Sequence, residues 1–279
     1  GQILRVFGLY GGFCYKRGMQ FDSPFQPTPF QDVNALLRAL LSGAQAILGA
    51  NFAGMYLYGS LAGGDFNPDS SDVDFVVVTA VPIPADWLPA LEAMHEGLTA
   101  VHPHWAAHLE GSYVPLADLR GYDPLGGPYP HWHEGRFYVA GHGSDWIIQR
   151  YVLRKWGVVL AGPPPETLID PVTADDLRRA VRGVLAEWWA PMLDDPAWLQ
   201  DRMYQAFAIL TMCRALHTLE TGTIASKPAA ARWAMALENG RWAAAIDRAL
   251  AWPHAPQPDD LPATLALLRR TVESSRAEQ

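Results

Sequence analysis

From Phe30 to Gly49 the apolar residues Val33, Leu36, Leu37, Leu40, Leu41 and Ile47 recur at the three-to-four spacing that lines one side of a helix, and Gly49 is suited to end it. The period then changes. Ala53-Gly-Met-Tyr-Leu-Tyr58 predicts a strand that closes on Gly59-Ser60, and a loop rich in Gly, Asn, Pro, Asp and Ser follows from Gly63 to Ser71. Val73-Asp-Phe-Val-Val-Val-Thr79 predicts a second strand, whose nearly unbroken apolar run suits a central position covered on both faces. Residues 86–101 suit a helix, and Ala107 to Pro115 a third strand carrying Glu110. Tyr122 to Arg136, dense in Gly and Pro, reads as a long loop, and Asp145 is placed to cap a helix through Ile147, Ile148, Tyr151 and Val152. Residues 1–28 show no usable periodicity.

Gly162-Pro-Pro-Pro165 is the clearest boundary signal, and every segment beyond it reads as helix. Thr173 can cap the first, with Asp175 and Asp176 in its opening turn and Leu177, Val181, Val184, Leu185 and Trp188 on one face. Further helices are predicted from about Asp201 to Gly222, from Pro228 to Gly240, onward to Trp252, and from about Asp260. Short connections between such helices imply an antiparallel bundle. The organisation expected is an N-terminal extension (1–29), an α+β domain with a small mixed β-sheet flanked by helices (30–160), and a C-terminal all-α helical bundle (161–279).

Composition narrows the classes. With 279 residues, 49% hydrophobic and 18% charged, the chain can bury one large core or two ordinary ones. Its net charge of −8 disfavours nucleic acid, itself a polyanion, and suits a cationic partner better. Cys14 and Cys213 lie far apart without a C-x-x-C motif, so no disulfide framework and a reducing cytoplasmic setting are expected. No apolar run approaches the roughly 20 residues needed to span a bilayer, no signal peptide is legible, and a monomer is expected.

The chemistry concentrates in one stretch. Asp72 and Asp74 are spaced i, i+2 at the start of a strand and project from one face, where two carboxylates together with substrate phosphates suffice for Mg²⁺. Gly59-Ser60 follows the preceding strand. A glycine there lets a phosphate approach the backbone, and the serine adds N–H and O–H donors. Glu110 is the candidate third carboxylate. His102, His104, His108, His131 and His133 form no zinc pattern, since Pro103 interrupts the first group and no H-E-x-x-H or cysteine accompanies them.

Leu57-Tyr-Gly-Ser60, followed by Ser70-Ser-Asp-Val-Asp-Phe-Val-Val77, resembles the signature of the DNA polymerase β-type nucleotidyltransferases: a G-S pair, a spacer of roughly ten residues, and D-x-D. Leu210-Thr-Met-Cys-Arg-Ala-Leu-His-Thr-Leu-Glu-Thr-Gly-Thr-Ile-Ala-Ser-Lys-Pro228, running on to Ala231-Arg-Trp-Ala234, resembles the helical domain of the aminoglycoside adenylyltransferases that modify streptomycin and spectinomycin, and Gly162-Pro with Glu166-Thr-Leu-Ile-Asp-Pro171 resembles their interdomain segment. The resemblance implies ATP as co-substrate, two Mg²⁺ ions and an aminoglycoside acceptor. It implies metal binding by Asp72 and Asp74, and a nucleotide site made by Gly59, Ser60, Ser71, Lys227 and, as a second candidate, Arg214. Glu110 is implied to act as general base on the drug hydroxyl. Trp189 and Asp194 reproduce the spacing of a Trp/Asp pair used for streptomycin, while Asp201 and Trp132 are the further drug-binding candidates.

Alternatives remain at several of these positions. Trp188 and Trp189 cannot both face inward equally well, so one is expected in the core and one available. Asp194 also suits a solvated turn before Pro196, and Lys227 an exposed position beside a helix start. Transfer to a metabolite or a protein, as in toxin–antitoxin AMP-transferases, and a regulator that binds nucleotide without catalysis are the competing functions.

Overall fold

The stripe of apolar residues that opens the sequence becomes α1 (Gln31–Leu48), with Val33, Leu36, Leu37, Leu40, Ala44 and Leu48 buried, and Gly49 ends it at φ 50°. The computed structural model describes residues 25–63, 66, 68, 71–252, 254, 255 and 258–277. Cys14 and most of the N-terminal extension lie outside them. Contrary to the expectation that no apolar run approaches a membrane span, Gln31–Asn51 is long and apolar enough to cross a membrane by length and composition. Here the apolar side of α1 packs under a sheet, against Met55, Leu57, Val73, Phe75, Val77 and Tyr113. Burying such leucines stabilises by about 1.5–3 kcal/mol each.

The described residues form two compact units, meeting between Pro171 and Val172. In the first, α1 leads to β1 (Phe52–Leu57), α2 (Gly59–Gly63), β2 (Val73–Thr79), α3 (Leu88–Val101), α4 (Pro103–Ala107), β3 (Leu109–Pro115) and α5 (Leu116–Arg120). Then come β4 (Tyr129–His133), β5 (Arg136–Ala140), α6 (Asp145–Trp156), β6 (Val158–Ala161) and α7 (Pro165–Leu168). The sheet has six strands in the order β5-β4-β3-β2-β1-β6. It is mixed: β2 and β3 run parallel, and the other neighbours run antiparallel. The apolar run of β2 earns its central place, and only Asp74 within that strand is not fully buried.

Three features depart from the expectation. The stretch read as a loop from Tyr122 to Arg136 contains β4 and starts β5, a hairpin closed by Glu134 and Gly135 at φ 47° and 70°. Two successive left-handed residues make the tight turn that matches strand twist, but Pro130 and the glycines before it obscure the strand pattern. Gly162 does turn the chain, at φ 102°, yet the segment after it folds back on the first unit. Tyr56 Oη donates to Pro163 O at 2.8 Å, Arg154 donates to the carbonyls of Glu166 and Ile169, and Arg120 pairs with Asp170. The unit therefore ends about a dozen residues later than the proline run suggests. Asp145 is the first residue of α6 rather than its cap, which is Ser144, whose side chain makes no capping hydrogen bond.

The second unit contains α8 (Ala174–Val184), α9 (Arg202–Thr221), α10 (Lys227–Ala234), α11 (Ala243–Ala251) and α12 (Leu261–Ala277). Thr173 caps α8 through a reciprocal box: Asp176 N donates to Thr173 Oγ1 at 3.1 Å, and Thr173 N to Asp176 Oδ2 at 2.9 Å. The other helices pack around α9, which is buried over most of its circumference and ends at Gly222 with φ 66°. The helix predicted from Pro228 to Gly240 stops at Ala234, and Glu238 and Asn239 adopt φ 49° and 58°.

Candidate active site

The parallel pairing of β2 with β3 sets Asp74 directly beside Glu110. Since side chains alternate along a strand, Val73, Phe75 and Val77 enter the core under α1 while Asp74 points to the opposite face, with Asp72 two residues earlier on the same side. Gly59, at the end of β1, closes the arrangement. Its φ is 78°, and a Cβ built there would lie 1.8 Å from Asp74 Oδ2. Only glycine lets the turn carry both that backbone conformation and that carboxylate. Tyr58 N donates to Asp74 O at 3.1 Å, tying the turn to β2. Ser60 and Ser71 are half-buried near this carboxylate-bearing end, one in α2 and one just ahead of Asp72.

Two histidines stand against the carboxylates. His108 Nδ1 lies 3.2 Å from Asp72 Oδ1, and His133 Nε2, on β4, lies 2.7 Å from Glu110 Oε1. Burial pushes the Asp72 carboxyl up to about 6, the charge of Glu110 pushes the same way, and His108 and His133 oppose it. A carboxyl raised by a neighbouring carboxylate marks a place where a cation would be stabilised. Among the described residues no three His, Cys, Asp or Glu side chains are gathered to hold an ion by themselves. Mg²⁺ takes one or two carboxylates and shares the rest of its shell with phosphates and water. Asp72 and Asp74 are the residues suited to that role.

The roles of His108 and His133 were not legible in the sequence. The histidines there suggested only a zinc site, which was set aside, and a strand register was needed to place His133 opposite Glu110. Two aromatic candidates are corrected. Trp132 is 2% exposed, stacks on His95 at 4.7 Å between centroids, and donates to Ala106 O at 3.4 Å. It alternates with His131 and His133 and so takes the core face, where no drug can stack on it. Trp189 is 0% exposed and packs against Tyr204 and Phe207. The cause is a π-helical turn at Leu185–Trp189 after α8. The wider turn accommodates one extra residue, so the buried phase that α8 would have brought to Trp188 falls on Trp189. Trp188 is left half-buried.

The remaining candidates sit in the helical unit. Arg214 is buried and donates from Nε to Ala225 O at 3.2 Å, holding the α9–α10 connection. Lys227 is the half-buried first residue of α10, with Nζ 5.6 Å from the centre of the Phe207 ring. Asp194 is exposed at the end of a short 3₁₀ turn. Asp201 is exposed and accepts from Tyr204 N at 3.1 Å as the cap of α9, a structural duty that leaves its second oxygen open to other partners.

Residues 167–277 match the family described as aminoglycoside adenylyltransferase, C-terminal domain, and residues 44–113 match the nucleotidyltransferase domain. The chain is 30% identical over 193 residues to an aminoglycoside (3'') (9) adenylyltransferase of Klebsiella pneumoniae, covering 65% of this chain and 70% of that one. It is 28% identical over 216 residues to the protein of the same name from Escherichia coli, covering 73% and 78%. A spectinomycin 9-adenylyltransferase of Staphylococcus aureus is 26% identical over 204 residues, covering 68% and 74%. Among solved structures, a spectinomycin adenyltransferase from Enterococcus faecialis, crystallised with ATP and spectinomycin, shares the fold. The TM-score is 0.61 at 18% identity, over 86% of this chain and 98% of that one.

Proposed function

Because this chain belongs to the aminoglycoside adenylyltransferase family, we propose that it transfers AMP from ATP to a hydroxyl of streptomycin, spectinomycin or both, releasing pyrophosphate. The observation that carries this reading is the juxtaposition of Asp74 and Glu110 in register, with Asp72 beside them and the Gly59-Ser60 turn closing the site. Two Mg²⁺ ions on Asp72 and Asp74, when bound, would supply charge neutralisation to the triphosphate. Glu110 accepts the proton of the acceptor hydroxyl as its oxygen bonds to the α-phosphorus and the bond to pyrophosphate breaks. Ser60 and Ser71 donate to phosphate oxygens, and Lys227 contributes a cation to the nucleotide.

An aminoglycoside is a polycation bearing many hydroxyls, which suits an acidic chain. On the helical unit the exposed carboxylates of Asp194 and Asp201 are the groups to meet its cationic ends. Trp188, half-buried where Trp189 is fully buried, is the tryptophan of the pair with exposed surface to offer. Incubation with ATP, Mg²⁺ and a panel of aminoglycosides, following pyrophosphate release and the mass of the product, tests the reading. Turnover with streptomycin or spectinomycin and a product heavier by one AMP is expected. Pyrophosphate release that no aminoglycoside stimulates would overturn the acceptor assignment.

A further inference from the structure

Glu110 is held in a way that its role as base does not by itself require. It stands on β3, and continuing the pairing of Gly111 with Trp132 and Ser112 with His131 sets His133 across from it. The His133 side chain is 3% exposed and the Glu110 side chain 15%. Their Nε2 and Oε1 atoms are 2.7 Å apart as a charge contact, but the N–H direction does not complete a hydrogen bond, and His133 Nε2 has no hydrogen-bond partner among the described residues. A buried Nε2–H without a hydrogen bond is costly, and a small rotation of the ring or the carboxyl aims it at Oε1, the acceptor already in reach. A buried ring donor with one acceptor in reach is a constrained donor. The constraint has structural support, because His133 is the last residue of β4 and pairs with Arg136 across the tight Glu134-Gly135 turn.

We propose that His133 is the positioning residue of the catalytic base. It binds Oε1 of Glu110 through Nε2–H and so turns Oε2 toward the acceptor hydroxyl. This rests on the reading of Glu110 as the base. His133 does not itself take the acceptor's proton, since its nitrogen facing the carboxylate already carries one. The proton moves from the acceptor oxygen to Oε2 of Glu110, and the imidazole fixes which of the two oxygens is free to receive it. A base displaced by about an ångström loses on the order of a hundredfold in rate, and an unheld carboxylate can rotate by that much.

The test combines kinetics with a measurement that needs no acceptor. His133→Leu, which removes the donor at similar bulk, is expected to lower kcat by about tenfold to a hundredfold and to leave the KM for ATP unchanged. His133→Gln, which can place an N–H at the same reach, should restore most of that loss. In a Glu110→Gln background, His133→Leu should cost nothing further, because residues acting through one another are not additive. Nitrogen-15 spectra of the wild-type imidazole, free of ligands, should show His133 protonated at Nε2, with a signal that moves in Glu110→Gln. An unprotonated Nε2, undiminished kcat in a folded His133→Leu protein, or the same fold-loss in both backgrounds would each overturn the proposal. Full turnover by Glu110→Gln would instead remove Glu110 as the base, which is failure of the underlying reading.

Discussion

Replacing Asp72 by asparagine removes one charge at constant shape, and it should make the metal-free protein more stable. The folded state raises this carboxyl from 3.8 to about 6, chiefly by burial and then by the charge of Glu110, with His108 opposing. For an acid whose folded value lies above its unfolded one, the unfolded chain ionises first. The penalty is absent below 3.8 and complete above about 6. At roughly 1.4 kcal/mol per unit the full shift would correspond to about 3 kcal/mol. The Asp72 side chain is 37% exposed, and solvent screens it, so we expect about 1–2 kcal/mol. That corresponds to a rise of roughly 2–8 °C in the Tm of a unit of this size. Asparagine can still accept from His108, so the loss of that contact does not mask the gain. The assay is thermal unfolding in EDTA from pH 4 to pH 8, followed by circular dichroism. The advantage of Asp72→Asn should appear near neutrality and fade toward pH 4, and Mg²⁺ with ATP should stabilise the wild type more than the variant. A variant less stable than wild type at pH 7.5, or a gain that does not change with pH, would refute the electrostatic account.

Gly59→Ala should cost about 1–2 kcal/mol for its left-handed backbone and displace Asp74, whose Oδ2 its Cβ would meet at 1.8 Å. Turnover should fall by roughly a hundredfold or more, and ordinary kinetics would contradict the turn's role. Trp189→Ala should destabilise by about 3–5 kcal/mol in urea unfolding, against much less for Trp188→Ala, reversing the roles that sequence spacing implied. Asp176→Asn should lose about 0.5–1 kcal/mol at pH 7, because the backbone N–H and then the hydroxyl of Thr173 hold its carboxyl below the usual value. That stability is present above 3.8 and is lost as pH falls through the lower folded value, so the two unfolding curves should converge only in strong acid. Asp194→Asn should weaken streptomycin by roughly tenfold to a hundredfold in calorimetric titration and leave the smaller spectinomycin nearly unchanged. Equal losses for both drugs would indicate a folding effect.

By itself the sequence determined the local elements with strong periods and the chemistry tied to short spacing. The stripe of α1, the apolar run of β2 and the Thr173 cap needed only neighbours in the chain, and each stands where the pattern put it. Gly59, Ser60, Asp72 and Asp74 were legible because a turn and an i, i+2 pair are local geometry. Glu110 stood out as a carboxylate on the next predicted strand, with its role as base implied only by family resemblance, and its place beside Asp74 is a fact of parallel register. Tertiary structure alone decided the rest. The β4–β5 hairpin rests on two left-handed turn residues and on cross-strand pairing, neither of which leaves a clear mark in a segment rich in Gly and Pro. His133 and His108 meet carboxylates far away in sequence, contacts that no spacing encodes. Trp132 and Trp189 read as available aromatics until strand alternation and one π-helical turn sent both into the core. A side chain's direction depends on the phase of its element, and a single inserted residue changes that phase without changing the composition.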